Sequence, residues 1–70
     1  MACEIRAEMA ANVWKIEIAD GASVAAGEVI AILESMKMEI PIEAPQAGVC
    51  RLQVTEGQSI QEGDVIATIA

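Results

Sequence analysis

The chain repeats itself at a fixed interval of 36 residues, and nothing else in it constrains the fold as tightly. Residues 13–33 align without a gap on residues 49–69, and seven of these 21 positions are identical: Val13, Gly21, Ser23, Gly27, Val29, Ile30 and Ala31 with their counterparts. Further pairs keep their chemistry, among them Lys15 with Arg51, Asp20 with Glu56, and Glu28 with Asp64. Two copies are too few for a solenoid, which needs about three. They predict two halves packed about a pseudo-two-fold axis, each burying the face that the other cannot.

Within each copy the local signals are those of β-strands. Trp14, Ile16 and Ile18 alternate with Lys15 and Glu17, as Cys50, Leu52 and Val54 alternate with Arg51 and Gln53, which is a period of two with one apolar face. Trp14 and Met9 are therefore expected in the packed interior, and Cys50 as a small buried hydrophobe. Asp20-Gly21 and Glu56-Gly57 mark turns, and Gly27 and Gly63 mark the next ones. The β-branched runs 29–33 and 65–69 follow; Thr68 predicts that it and Ile32 face outward, while Val29, Ala31 and Leu33 face in. Between the copies, Ile40, Ile42 and Ala44 alternate with Glu39, Pro41 and Glu43. Pro41 cannot donate a ladder hydrogen bond, so this strand belongs at an edge or at a bulge. Residues 45–48 read as a turn. Residues 4–10 are the candidate matching strand, with Asn12 standing where the second copy has Gly48, and residues 8–11 are the sole short helix candidate. The count is six to eight strands, an all-β flattened barrel or sandwich closed to limit exposed edges, with residues 1–70 as one domain.

Composition excludes several functions. Eleven acidic residues against four basic ones give a formal net charge of −7, the wrong sign for tracking a phosphate backbone, so nucleic acid is not an expected partner. Histidine is absent, which removes the usual imidazole base and the commonest metal ligand. No EF-hand-like spacing, CxxC pair, Ser/His or Cys/His pair, or Gly-rich phosphate loop occurs, so neither a metal centre nor an enzyme in its own right is expected. No apolar run approaches the roughly 18–20 residues of a membrane span, and no signal peptide is visible. The expectation is a soluble, cytoplasmic, free-standing small protein with two free thiols, Cys3 and Cys50.

The segment joining the copies, Glu34-Ser35-Met36-Lys37-Met38-Glu39, leaves room for a tight turn only, with Lys37 at its tip. Two methionines flank the lysine where Gly, Asn or Asp would be usual. Exposed thioethers are adaptable recognition surfaces. The chain has two lysines; Lys15 is matched by Arg51 in the repeat, whereas Lys37 has no basic counterpart.

This hexapeptide resembles the attachment motif of biotinyl domains, whose usual form has Ala before Met-Lys-Met and which here has Ser35. Ala44-Pro45-Gln46-Ala47-Gly48-Val49 and Gly27-Glu28-Val29-Ile30 are similar to flanking segments of the same family, and the resemblance runs from about residue 10 to residue 70. It implies two four-stranded antiparallel sheets, a barrel-sandwich hybrid, with Lys37 on a hairpin at one end and both termini at the other. No insertion separates Ile18 from Gly27, so the protruding thumb of some carrier subunits is absent. It further implies that a biotin protein ligase joins biotin to Lys37, and that Glu34, Ser35, Met36, Met38 and Glu39 form its recognition motif. The carrier then moves carboxyl groups between a biotin carboxylase and a carboxyltransferase, as in acetyl-CoA carboxylase. The domain itself catalyses nothing. Lipoyl domains share the fold and the lysine position but usually carry Asp-Lys-Ala, so lipoate is the alternative cofactor. An unmodified barrel serving as an interaction module is the alternative from another class.

Overall fold

A computed structural model of the chain describes residues 3–70. Eight strands follow one another: β1 (Cys3–Arg6), β2 (Ala11–Ile16), β3 (Ser23–Val24), β4 (Val29–Ser35), β5 (Met38–Glu43), β6 (Gly48–Leu52), β7 (Ser59–Ile60) and β8 (Val65–Ile69). They form two four-stranded antiparallel sheets, ordered β1-β8-β6-β3 and β5-β4-β2-β7. No helix forms among the described residues; the short stretch around Glu8 and Met9 is a bend, and the helix expected there is not present. Strand β5 lies at a sheet edge, where Pro41 pairs opposite Ile32 without needing to donate.

The repeat is visible strand by strand. Strands β1 to β4 correspond to β5 to β8, and each sheet takes its central pair from one half and its two edge strands from the other. Neither half can therefore close a sheet alone. Two carboxylates tie the halves together symmetrically: Leu52 N–H donates to Asp20 Oδ1 (2.8 Å) and Ile16 N–H donates to Glu56 Oε2 (2.9 Å). Each bond satisfies a strand amide that has no ladder partner beyond the short strands.

One residue departs from the constant interval. Lys15 pairs opposite Ile32 as Arg51 pairs opposite Thr68, but it is Val13, not Trp14, that stands opposite Leu33 where Cys50 stands opposite Ile69. Trp14 is the extra residue of a β-bulge. From Lys15 onward the interval is 36; before it the interval is 37, so Ala11 matches Gly48 and Asn12 matches Val49. The expected equivalence of Asn12 with Gly48 is thus off by one, and Asn12 has no left-handed backbone. The bulge turns Val13 inward to full burial and leaves Trp14 outside, 49% exposed, rather than in the interior. Met9 is likewise exposed rather than packed.

A second, symmetric pair of bulges sits at Ile30 and Ile66. Each places two consecutive side chains in the core, Ile30 with Ala31 and Ile66 with Ala67, all fully buried. Val29, expected inside, is only half-buried. The remaining core is Val13, Leu33, Cys50, Ile60 and Ile69 with smaller residues around them, against which Ile16, Ile18 and Leu52 pack half-buried. Cys3 and Cys50 flank Ile69 from opposite sides in one sheet, two strand spacings or roughly 10 Å apart, beyond disulfide reach; both are free thiols, as expected.

Candidate functional site

Strands β4 and β5 form the hairpin that joins the two halves. Glu34 pairs with Glu39 and Ser35 with Met38, so the connecting loop is Met36-Lys37 alone. Both residues have positive φ, 51° and 68°. Two left-handed residues in a two-residue hairpin define a type I′ turn, whose twist matches that of the flanking strands. Asn and Gly are the usual occupants, because a Cβ in this region crowds the following carbonyl. Met36 and Lys37 are held there by the ladder on either side, and they are the only non-glycine residues with positive φ among those described.

The side chains at the tip are open to solvent. Met36 is 92% exposed and Met38 61%, and Lys37 is exposed and takes part in no ion pair among the described residues. The expectation of a lysine at a hairpin tip between two solvent-facing thioethers is met. Glu34 and Glu39 stand opposite each other, both exposed, and Asn12 lies on the other side of Glu34. Ser35 is half-buried and its hydroxyl donates to the Ala10 carbonyl (3.1 Å), bracing the hairpin stem against the segment that leads into β2. An alanine would lack this bond. The hexapeptide thus separates into a strained tip, a carboxylate pair below it, and a serine brace. Sequence reasoning did not find the brace, whose acceptor is a backbone atom 25 residues away.

This arrangement presents a primary amine on a stiff support, engaged in no ion pair among the described residues. It fits an acyl group joined through an amide, which needs a reachable nucleophile and no preformed cavity. No group of three or more metal-ligating side chains occurs among the described residues.

Comparison with known proteins agrees with this geometry. The family described as "Biotin-requiring enzyme" matches residues 2–69. The chain belongs to the biotinyl family. A biotin/lipoyl attachment protein of Bacillus subtilis (strain 168) is 48% identical over 44 residues, 63% of this chain and 60% of that protein. A Mycobacterium leprae (strain TN) homologue of a biotinylated protein is 45% identical over 49 residues, 70% of this chain and 69% of its own. Among solved structures, the urea carboxylase of Kluyveromyces lactis contains a match to all of this chain with a TM-score of 0.90 at 30% identity, and a single-chain long-chain acyl-CoA carboxylase matches 96% of it at 0.86 and 32%. The chain covers only 6% and 7% of those two proteins and about three fifths of the Bacillus relative. The chain is thus a biotinyl domain, of the kind that forms the carrier part of biotin-dependent carboxylases. Its two flattened sheets are those the resemblance implied.

Proposed function

We propose that this biotinyl domain is a carboxyl carrier whose attachment residue is Lys37. The observation that supports it most is the type I′ turn: the one exposed amine at a hairpin tip is held in a backbone region that lysine does not choose by itself. A biotin protein ligase is the modifying partner. The Lys37 Nζ lone pair attacks the adenylate-activated carboxyl carbon, and the ligase takes up the proton that the amine gives up. A C–N bond then forms and AMP leaves. Met36 and Met38 offer the ligase adaptable apolar contacts, and Glu34 and Glu39 give the motif its charge. Ser35 keeps the stem from twisting while the tip is engaged.

When attached, biotin supplies a ureido nitrogen that accepts a carboxyl group at a biotin carboxylase and yields it at a carboxyltransferase. The barrel contributes rigidity, so that only the arm moves and its effective concentration at both sites stays high. The proposed acceptor is a coenzyme A thioester such as acetyl-CoA. The domain performs no catalysis of its own.

The test is incubation of the purified chain with a biotin protein ligase, ATP and biotin, followed by intact mass. Wild type and Lys15→Arg gain one biotinyl group, and Lys37→Arg gains none while keeping its fold. Full labelling of Lys37→Arg would overturn the assignment, and a lipoyl mass on material from its own host would replace the cofactor.

A further inference from the structure

The outer face of the β5-β4-β2-β7 sheet carries an apolar stripe that the fold does not cover. Pro41 on β5 stands opposite Ile32 on β4, and Ile32 stands opposite Lys15 at the bulge of β2. The bulge sends Trp14 out on the same side. Pro41, Ile32 and Trp14 therefore run across three adjacent strands. A monomeric barrel gains nothing from turning its one aromatic side chain outward, and Trp is among the residues most enriched at binding hot spots.

The rim of this stripe is acidic. Glu34 and Glu39 form the row on the side of the hairpin. Glu43, opposite Val29, and Glu17, whose N–H donates to the Ile30 carbonyl, form the row on the other side. Lys15 is the single cation, and it already sits 3.7 Å from Glu17. Such a face repels a second copy of itself. It complements an apolar centre ringed by Arg and Lys.

We propose that this stripe is the docking face for the biotin carboxylase. The inference rests on the carrier role proposed above and deepens it by naming where that partner sits. The chemistry of the partner argues for it: an enzyme that consumes ATP and bicarbonate binds anions, and the mouth of such a site is electropositive. The geometry argues for it as well. Ile32 lies four residues down β4 from Met36, roughly 13 Å at the rise of a strand. A ligase reacts with Nζ itself and must straddle the tip. An enzyme that receives an extended arm can rest on the flank, with its active site one arm's length from the turn.

The experiment titrates the biotin carboxylase of the same host with the full chain, bare and biotinylated, by calorimetry at two salt concentrations. Intact mass first establishes that the wild type is biotinylated; its failure there would count against the carrier role and is read separately. Trp14→Ser weakens binding roughly thirty-fold, as for a hot-spot aromatic. Val49→Ser, which removes an exposed apolar side chain from the other sheet, changes it less than twofold. Glu43→Lys, fully on the surface and safe for the fold, also weakens binding and lowers its salt dependence. Biotinylated Trp14→Ser and Glu43→Lys that both bind within twofold of wild type would overturn the proposal. So would a loss confined to the ligase's KM or to the carboxyltransferase, or a wild-type chain that dimerises through this face.

Discussion

Replacing Met36 by Asn should make the domain more stable and a poorer substrate for modification. Met36 holds φ 51° in the turn. Asn enters this region several times more readily than an ordinary side chain, a difference of about 0.6–1 kcal/mol. Little is lost against it: Met36 is 92% exposed, so less than a tenth of the burial energy of a methionine, about 0.2 kcal/mol, is at stake. The net gain is about 0.4–0.8 kcal/mol. In a domain of this size it raises Tm by about 2–6 °C. Thermal and urea unfolding followed by Trp14 fluorescence and circular dichroism measure it, with ligase labelling rates alongside. Met36→Leu completes the comparison, since it keeps the strain and the bulk but not the sulfur; its stability stays within about 0.5 kcal/mol of wild type while its labelling slows. A Met36→Asn protein with an unchanged or lower Tm would refute the claim that the turn is strained at this residue. Unchanged labelling of both variants would refute a role for the thioether in recognition.

Two further outcomes concern the scaffold. A Cβ on Gly48 would lie 2.5 Å from the Ala70 carbonyl oxygen and 2.8 Å from Ile69 Cγ2, so Gly48→Ala forces backbone to move at φ +156° and costs about 2–5 kcal/mol. Gly27→Ala meets open space at φ +87° and costs only its backbone strain, about 1–2 kcal/mol, so urea melts of the two variants separate crowding from conformation. Burial, and to a lesser degree the Asp20 carboxylate, push the Cys50 thiol above its ordinary range. The unfolded chain therefore loses this proton first as pH rises, and stability falls from about pH 8.5 upward by at most about 1.4 kcal/mol per pH unit, levelling off above the folded-state value. Cys50→Ala, melted at pH 7 and pH 9.5, should remove that decline.

The exposed hairpin tip was legible because its signal is local: a lysine without a repeat partner between two methionines needs no distant contact to stand out. The two-fold architecture was legible because glycines and β-branched residues recur at one interval. The bulge at Trp14 was not. Val13 and Trp14 are both apolar, so alternation fits either facing inward, and the identity of Val13 with Val49 conceals the one-residue shift that only strand pairing reveals. The bulge at Ile30 was hidden in the same way: Val29, expected inside, is half-buried, while Ile30 and Ala31 are both fully buried. Asp20 and Glu56 were legible as turn residues but not as the ties between halves, because each acceptor meets an amide some 30 to 40 positions away.

The exchange of edge strands has a topological outcome for the lysine. Fold symmetry would offer two equivalent tips, yet only one of them is a closed loop, the crossover from β4 into β5. At its twin, β1 and β8 run side by side, Cys3 against Ile69, with no peptide connecting them. The duplicated architecture thus has one hairpin crossover between its halves, and Lys37 stands on it.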